Sequence, residues 1–342
     1  MSKIYGLIFL LCSNIFALVD PDATQETFDL YNRLKSASGK YIYYGEYVWS
    51  MDKQIDTYKI TGKFPTIYMT DYYSTVGDKI KYKSRKHELI KHYLNDGIIS
   101  MCWHMNNFVT GGTSRDFNGL PVTNILEGGT HRTQYLNALD KFAKEMKKIK
   151  IPIIFRPFHE GDTWSFWWGT EGCTSEEFVL LWRDLVTYLR DVKGVHNLLY
   201  CYAPEILTEV GYKEDRFPGE AYIDIYSIDN YSDSDNISDV MERYRKISDF
   251  AVADNKIFGI SEGLRKLSEA PKSDYWTWYY NQILNDPKVA KTSFVCNWHS
   301  PEWGSKKGRS DEGSFLDMSH NPRIKFLERK KGILISGINN QS

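Results

Sequence analysis

Eight short β-rich runs recur along this 342-residue chain, each followed by a segment long enough for a helix, and this alternation constrains the fold more than any other feature. The runs are Tyr41 to Tyr44, Thr66 to Met69, Ile98 to Cys102, Ile151 to Arg156, Asn197 to Tyr202, Tyr222 to Ile228, Lys256 to Ile260 and Thr292 to Asn297. Eight strands in roughly 300 residues without a linker predict an α/β fold, the (β/α)8 TIM barrel, as a single domain over residues 18–342. A doubly wound open sheet would want a Gly-rich phosphate turn after its first strand, and Gly45-Glu46-Tyr47 is not one. The helices are legible too. Thr174 and Glu177 form a capping-box pattern before Phe178, Leu181, Trp182 and Leu185, while Leu139, Phe142, Ala143 and Met146 share one helical face ahead of Lys147, Lys148 and Lys150.

Charge excludes some functions. With 43 Lys+Arg against 44 Asp+Glu the net charge is -1, so the chain lacks the footprint of a nucleic-acid binder, and its basic stretches, Lys79 to Lys91 and Lys306, Lys307 and Arg309, read as solvated faces. Lys3, the apolar run Ile4 to Cys12 and Ala17 have the layout of a secretory signal peptide, with cleavage expected after Ala17 and a soluble, secreted product, extracellular or periplasmic. Acylation of Cys12 fits less well, because Leu10 and Leu11 are bulky. No later segment is long enough to span a membrane. Cys102, Cys173, Cys201 and Cys296 are few and widely spaced, and they read as free thiols, not a disulfide framework. A monomer is expected, and neither a cofactor nor a metal, since no two histidines have a ligand spacing. Asn230, Asn236 and Asn340 are acceptor motifs for N-glycans, and Asn230 is expected to stay bare beside the cleft.

In a barrel of this kind the chemistry sits where the strands end. Glu46, Asp71, Glu160, Glu205, Asp229 and Glu262 follow the first, second, fourth, fifth, sixth and seventh runs, which leaves fifteen possible pairs. Two arguments narrow them toward Glu160 and Glu262. Arg156, His159 and Glu160 leave one strand end together and meet Trp164, Phe166, Trp167 and Trp168 at once; rings beside a carboxyl group desolvate it, raise its pKa and offer flat faces to sugars. The fourth and seventh strands also lie on different sides of a narrow barrel mouth, so their two carboxylates can face each other across a ligand.

At these residues the chain resembles glycoside hydrolase family 26, best known for β-mannanases. The resemblance is carried by Arg156-Pro157-Phe158-His159-Glu160 with Trp167-Trp168-Gly169 behind it, by Trp103-His104-Met105-Asn106-Asn107, by Ile228-Asp229-Asn230-Tyr231, and by Ile260-Ser261-Glu262. Asp22-Ala23-Thr24 and Tyr44-Gly45 extend it over nearly the whole chain, Asp22 to Arg329. It implies a retaining endo-β-1,4-mannanase with Glu160 as acid/base and Glu262 as nucleophile. His159 would position Glu160, Tyr231 would hydrogen-bond Glu262, Arg156 would join that polar cluster, and Trp103 and His104 would line the subsites on the non-reducing side. Trp164, Trp168 and Trp298 complete the expected sugar-binding set.

Two departures concern the substrate. Ser165 stands where the family often has the first Trp of its run, Trp164 coming one residue early, and Trp298-His299-Ser300 lacks the arginine of Trp-Arg-Asn. The alternatives are therefore another β-glycan, β-1,3-xylan or mixed-linkage β-glucan, or an exo-acting mannobiohydrolase. A glycan-binding barrel without catalysis is the rival from outside the enzymes, and the presence of both carboxylates argues against it. The connection from Asn106 to Thr130 is a candidate wall of the cleft.

Overall fold

The computed structural model describes residues 18–48, 55–72, 79–205, 215–231, 236–263, 271–298 and 306–328. The expected leader with Cys12 and Ala17, and also His299, Ser300 and Asn340, lie outside them. Eight parallel strands close on themselves: β1 (Ile42–Tyr47), β3 (Ile67–Asp71), β4 (Ile98–Cys102), β5 (Ile153–Arg156), β6 (Leu198–Tyr202), β7 (Ile225–Asn230), β8 (Ile257–Gly263) and β9 (Phe294–Asn297) pair in sequence, and β9 returns to β1 with Gly45 opposite Cys296. This is the (β/α)8 barrel that the eight runs predict.

Strands covered on both faces are apolar almost throughout, because their side chains alternate between two buried environments. Ile153 and Phe155 join the outer layer with the helices, while Ile154 joins Leu199, Cys201, Ile225, Ile257, Phe294 and Cys296 in the interior. Gly45 is the small residue this interior requires: a Cβ there would lie 2.3 Å from the Cys296 sulfur and 3.0 Å from Ile67 Cβ. Helix Gln25–Ala37, capped by Thr24, closes the N-terminal end of the barrel. Its Leu30, Tyr31, Leu34 and Ala37 belong to the interior cluster, and its polar side chains bond the carbonyls that precede strands, Tyr31 to Asn255 and Lys35 to Lys256. With that end plugged, the C-terminal mouth is the open one.

The expected capping box forms at Thr174, heading helix Ser175–Thr187, and Leu139, Phe142, Ala143 and Met146 are buried on helix Arg132–Ile149. Cys102, Cys173, Cys201 and Cys296 are free thiols. Two strands were not expected. Ile324–Leu327, β10, pairs parallel to β1 outside the barrel, and Phe64–Pro65, β2, pairs antiparallel to β10. Two residues give β2 no readable period, and β10 is partly exposed. Among the described residues no helix is long and apolar enough to cross a membrane.

Candidate active site

Arg156 ends β5 on the same face as Ile154, so its side chain enters the barrel, where it is 1% exposed. The same alternation turns Ser227 and Asp229 of β7 inward. On β8 the register with β7 slips by one residue between Ile228–Ile260 and Asp229–Glu262, a bulge that lets two consecutive residues reach the interior group. Ser261 Oγ donates to Asp229 Oδ1 at 2.5 Å, and Glu262 follows it toward Arg156. The guanidinium then serves two carboxylates: Nη1 donates to Asp229 Oδ1 and Oδ2 at 3.0 and 2.9 Å, and Nη2 to Glu262 Oε1. Tyr231, just past β7, donates its hydroxyl to Glu262 Oε2 at 2.6 Å. Both oxygens of Glu262 thus accept hydrogen bonds from inside the protein.

Glu160 reaches the same space along a strained turn. Phe158 and Glu160 both have left-handed backbones, φ +48° and +54°, a conformation that costs about 1–3 kcal/mol for residues other than glycine. Phe158 is held by Trp167, Trp168 and Trp182 around its ring, and the Glu160 N–H donates to the Ala203 carbonyl at 2.7 Å. The Glu160 carboxyl group, in a residue 8% exposed, is pushed well above the usual carboxylate range by burial and by the charges of Glu262, Asp229 and Glu205. One oxygen each from Glu160, Asp229 and Glu262 lie within 4.8 Å of one another. Glu205 adds a fourth acid at the rim, pushed up to about 7 by burial, then by Asp162 and Glu262.

Above these groups opens a cleft of about 260 Å³ lined by His104, Arg115, His159, Glu160, Ser165, Phe166, Glu205, Tyr231, Glu262 and Trp298. Asp71, at the end of β3, accepts from His104 Nδ1, and the rings of His104 and His159 meet edge to face at 4.7 Å. His159 is held neutral by burial, with the nearby His104 and Arg156 pressing the same way. Trp298 stacks on Tyr47 at 4.2 Å, and the Arg115 guanidinium lies over the Phe166 ring at 5.3 Å.

Of the residues singled out in the sequence, Glu160, Glu262, Arg156 and Tyr231 converge on one point, and His104, His159 and Trp298 line the cleft around it. Three tryptophans stand apart from the cleft lining. Trp103 follows inward-facing Cys102 and so turns outward, packing on Tyr72 and Phe142. Trp168 is fully buried behind the wall, donating from Nε1 to the His159 carbonyl at 2.8 Å and stacking on Phe166. Trp164 is 69% exposed and is not among the lining residues; Ser165 takes its place there. Glu46 also faces outward, accepting from Thr57 and Tyr44 between strand and helix. Sequence reasoning passed over Arg115, whose only signal was its place in the long connection after Cys102.

Among the described residues two sets of donors could hold a cation: Glu160, Asp229 and Glu262, and the group Cys102, His104 and His159. Arg156 already supplies a positive charge to the carboxylates. What the carboxylate site can do chemically is pair one acid kept protonated by burial, Glu160, with one carboxylate held by two donors, Glu262.

Comparison with known proteins identifies the family. Residues 19–301 match the model of Glycosyl hydrolase family 26. A mannan endo-1,4-beta-mannosidase of Bifidobacterium adolescentis is 28% identical over 90% of this chain, which spans only 35% of that longer protein. Another of that name from Bacillus subtilis (strain 168) is 26% identical over 91% of this chain and 92% of its own length. The solved catalytic domain of an endo-beta-1,4-mannanase from Bacillus sp. JAMB-750 superposes with a TM-score of 0.80 at 26% identity, covering 91% of this chain and 93% of that one. The chain belongs to glycosyl hydrolase family 26.

Proposed function

We propose that this protein is a secreted, retaining endo-β-1,4-mannanase, its first 17 residues a leader removed on export. The observation that carries the reading is the approach of Glu160 and Glu262 to within 4.8 Å. Retaining glycosidases hold their two carboxyl groups about 5–5.5 Å apart, whereas inverting ones leave about 6.5–9.5 Å for a water.

In the first step Glu160, neutral because it is buried among negative charges, protonates the leaving glycosidic oxygen while Glu262 attacks the anomeric carbon. Arg156 and Tyr231, each bonded to one of its oxygens, keep Glu262 aimed until then. As the glycosyl ester forms, the negative charge beside Glu160 is spent, its pKa falls, and it becomes the base that deprotonates the incoming water. Phe166 and Trp298 supply apolar faces for the sugar rings, and His104 and Arg115 supply donors for hydroxyls. Mannan as the substrate and attack within the chain are supported by the names of the relatives.

The test is to incubate the chain without its leader, and a Glu160→Ala/Glu262→Ala variant of it, with linear β-1,4-mannan and to resolve the products by size. Manno-oligosaccharides of mixed length from the parent and none from the variant are expected. Short products at all times would mean exo action. Mannan left intact while β-1,3-xylan or mixed-linkage β-glucan is cut would overturn the substrate, and no cleavage of any of them would leave a binding barrel.

A further inference from the structure

We infer that Cys102, His104 and His159 form a binding site for a thiophilic divalent cation such as Zn²⁺, and that its occupation blocks the cleft. The sulfur of Cys102 and one ring nitrogen of each histidine lie within 4.8 Å of one another. Cys102 and His104 are two residues apart where β4 enters the barrel mouth, and His159 comes from the turn after the neighbouring β5. Cys-X-His on one strand face with a histidine from the next strand is a nitrogen and sulfur donor set suited to zinc and less suited to calcium or magnesium.

A second observation points to a ligand. His159 is 1% exposed, and its buried Nδ1 has no hydrogen-bond partner. An imidazole nitrogen left unpaired in the interior bears an uncompensated desolvation cost unless something binds there. Asp71 completes the surroundings. Its Oδ2 accepts from His104 Nδ1 and lies 3.7 Å from the Cys102 sulfur, near enough to be a fourth donor or to orient the His104 ring. Tetrahedral zinc, with bonds of about 2.0–2.3 Å, would draw the donors together by roughly an ångström. His104 is the element free to move, since it lines the open cleft.

A cation binds the thiolate of Cys102, so the thiol proton leaves to the solvent, one proton per ion bound. Because His104 and His159 line the same cleft as Glu160, a bound ion occupies space that a sugar needs. The binding itself does not depend on which glycan is cut or on whether the barrel is catalytic.

The experiment uses Co²⁺ as a spectroscopic probe and Zn²⁺ for affinity, on the leaderless chain without substrate. The parent is expected to bind one Co²⁺ with a thiolate-to-metal charge-transfer band and tetrahedral d–d absorption. Cys102→Ser should lose the charge-transfer band and bind Zn²⁺ at least about tenfold more weakly, whereas Cys173→Ser, a thiol away from the cleft, should match the parent. With substrate present, Zn²⁺ should inhibit the parent at concentrations that Cys102→Ser tolerates. A parent spectrum without the thiolate band overturns the inference, and this holds even if Cys102→Ser fails to fold. So does equal Zn²⁺ affinity in parent and Cys102→Ser. Inhibition without that band would place the ion on Glu160, Asp229 and Glu262 and would also overturn it.

Discussion

Replacing Arg156 with methionine removes the one cation that the described structure sets between two buried carboxylates while keeping most of the side chain's length. In the parent, Nη1 sits 3.0 and 2.9 Å from the two Asp229 oxygens and Nη2 donates to Glu262, all three residues being at most 2% exposed. Taking one partner out of a buried ion pair costs about 3–5 kcal/mol, mostly the penalty of charges left without compensation. At about 2 °C per kcal/mol, the low end for a chain larger than 250 residues, the melting temperature should fall by roughly 6–10 °C near neutral pH. The pH dependence gives the sharper test. Arg156 holds down the pKa of both Asp229 and Glu160, which burial raises above their ordinary values, so its loss raises them further. A carboxyl group whose folded pKa lies above its unfolded pKa favours folding at low pH and opposes it as pH rises through the folded value. The deficit of Arg156→Met should therefore be small near pH 5 and grow toward pH 8. Melting curves of parent and variant, followed by circular dichroism at both pH values, measure it. A variant as stable as the parent at pH 8, or a deficit larger at pH 5, would refute the account of Arg156 as the balancing charge.

Three further outcomes are expected. Tyr231→Phe removes a 2.6 Å hydrogen bond to a carboxylate, worth about 1.5–3 kcal/mol, so kcat/KM should fall by roughly 10- to 150-fold with the melting temperature nearly unchanged; a loss under threefold would remove Tyr231 from the site. In Glu205→Gln one of the charges that raise the Glu160 pKa is gone, so the alkaline limb of the kcat/KM profile should move to lower pH, and a shift to higher pH would contradict the electrostatics. Gly45→Ala sets a methyl group 2.3 Å from the Cys296 sulfur, and chemical denaturation should show a loss of about 1–3 kcal/mol that Gly45→Ala/Cys296→Ala partly recovers.

The barrel was legible because a parallel strand buried on both faces needs an almost unbroken apolar run, and all eight runs became strands. Their ends were not. The apolar pattern of the first run stops at Tyr44 and that of the seventh at Ile260, whereas β1 continues through Gly45, Glu46 and Tyr47, and β8 through Ser261, Glu262 and Gly263. Polar residues and glycines end an apolar pattern, yet at the mouth of a barrel they are what the interior is made of. The bulge on β8, which turns Ser261 and Glu262 both inward, leaves no trace in composition. Aromatic residues misled for a related reason: Trp103 and Trp168 sit beside cleft residues in the sequence, but one position along a strand reverses the side chain's face, and the turn after β5 buries Trp168 behind Phe166. The pairing of His104 with His159 needed two neighbouring strands, and the sequence holds those residues fifty-five positions apart.

The spacing of Glu160 and Glu262 makes one commitment that no substitution is needed to test. Linear β-1,4-mannan is digested by the leaderless chain in deuterated buffer, and the anomeric protons of the new reducing ends are followed by NMR before mutarotation scrambles them. Two carboxylates within 4.8 Å predict double displacement, so the β-anomer should appear first and the α-anomer only later. If the α-anomer accumulates first, a water has attacked in a single step, and the assignment of Glu262 as nucleophile is wrong.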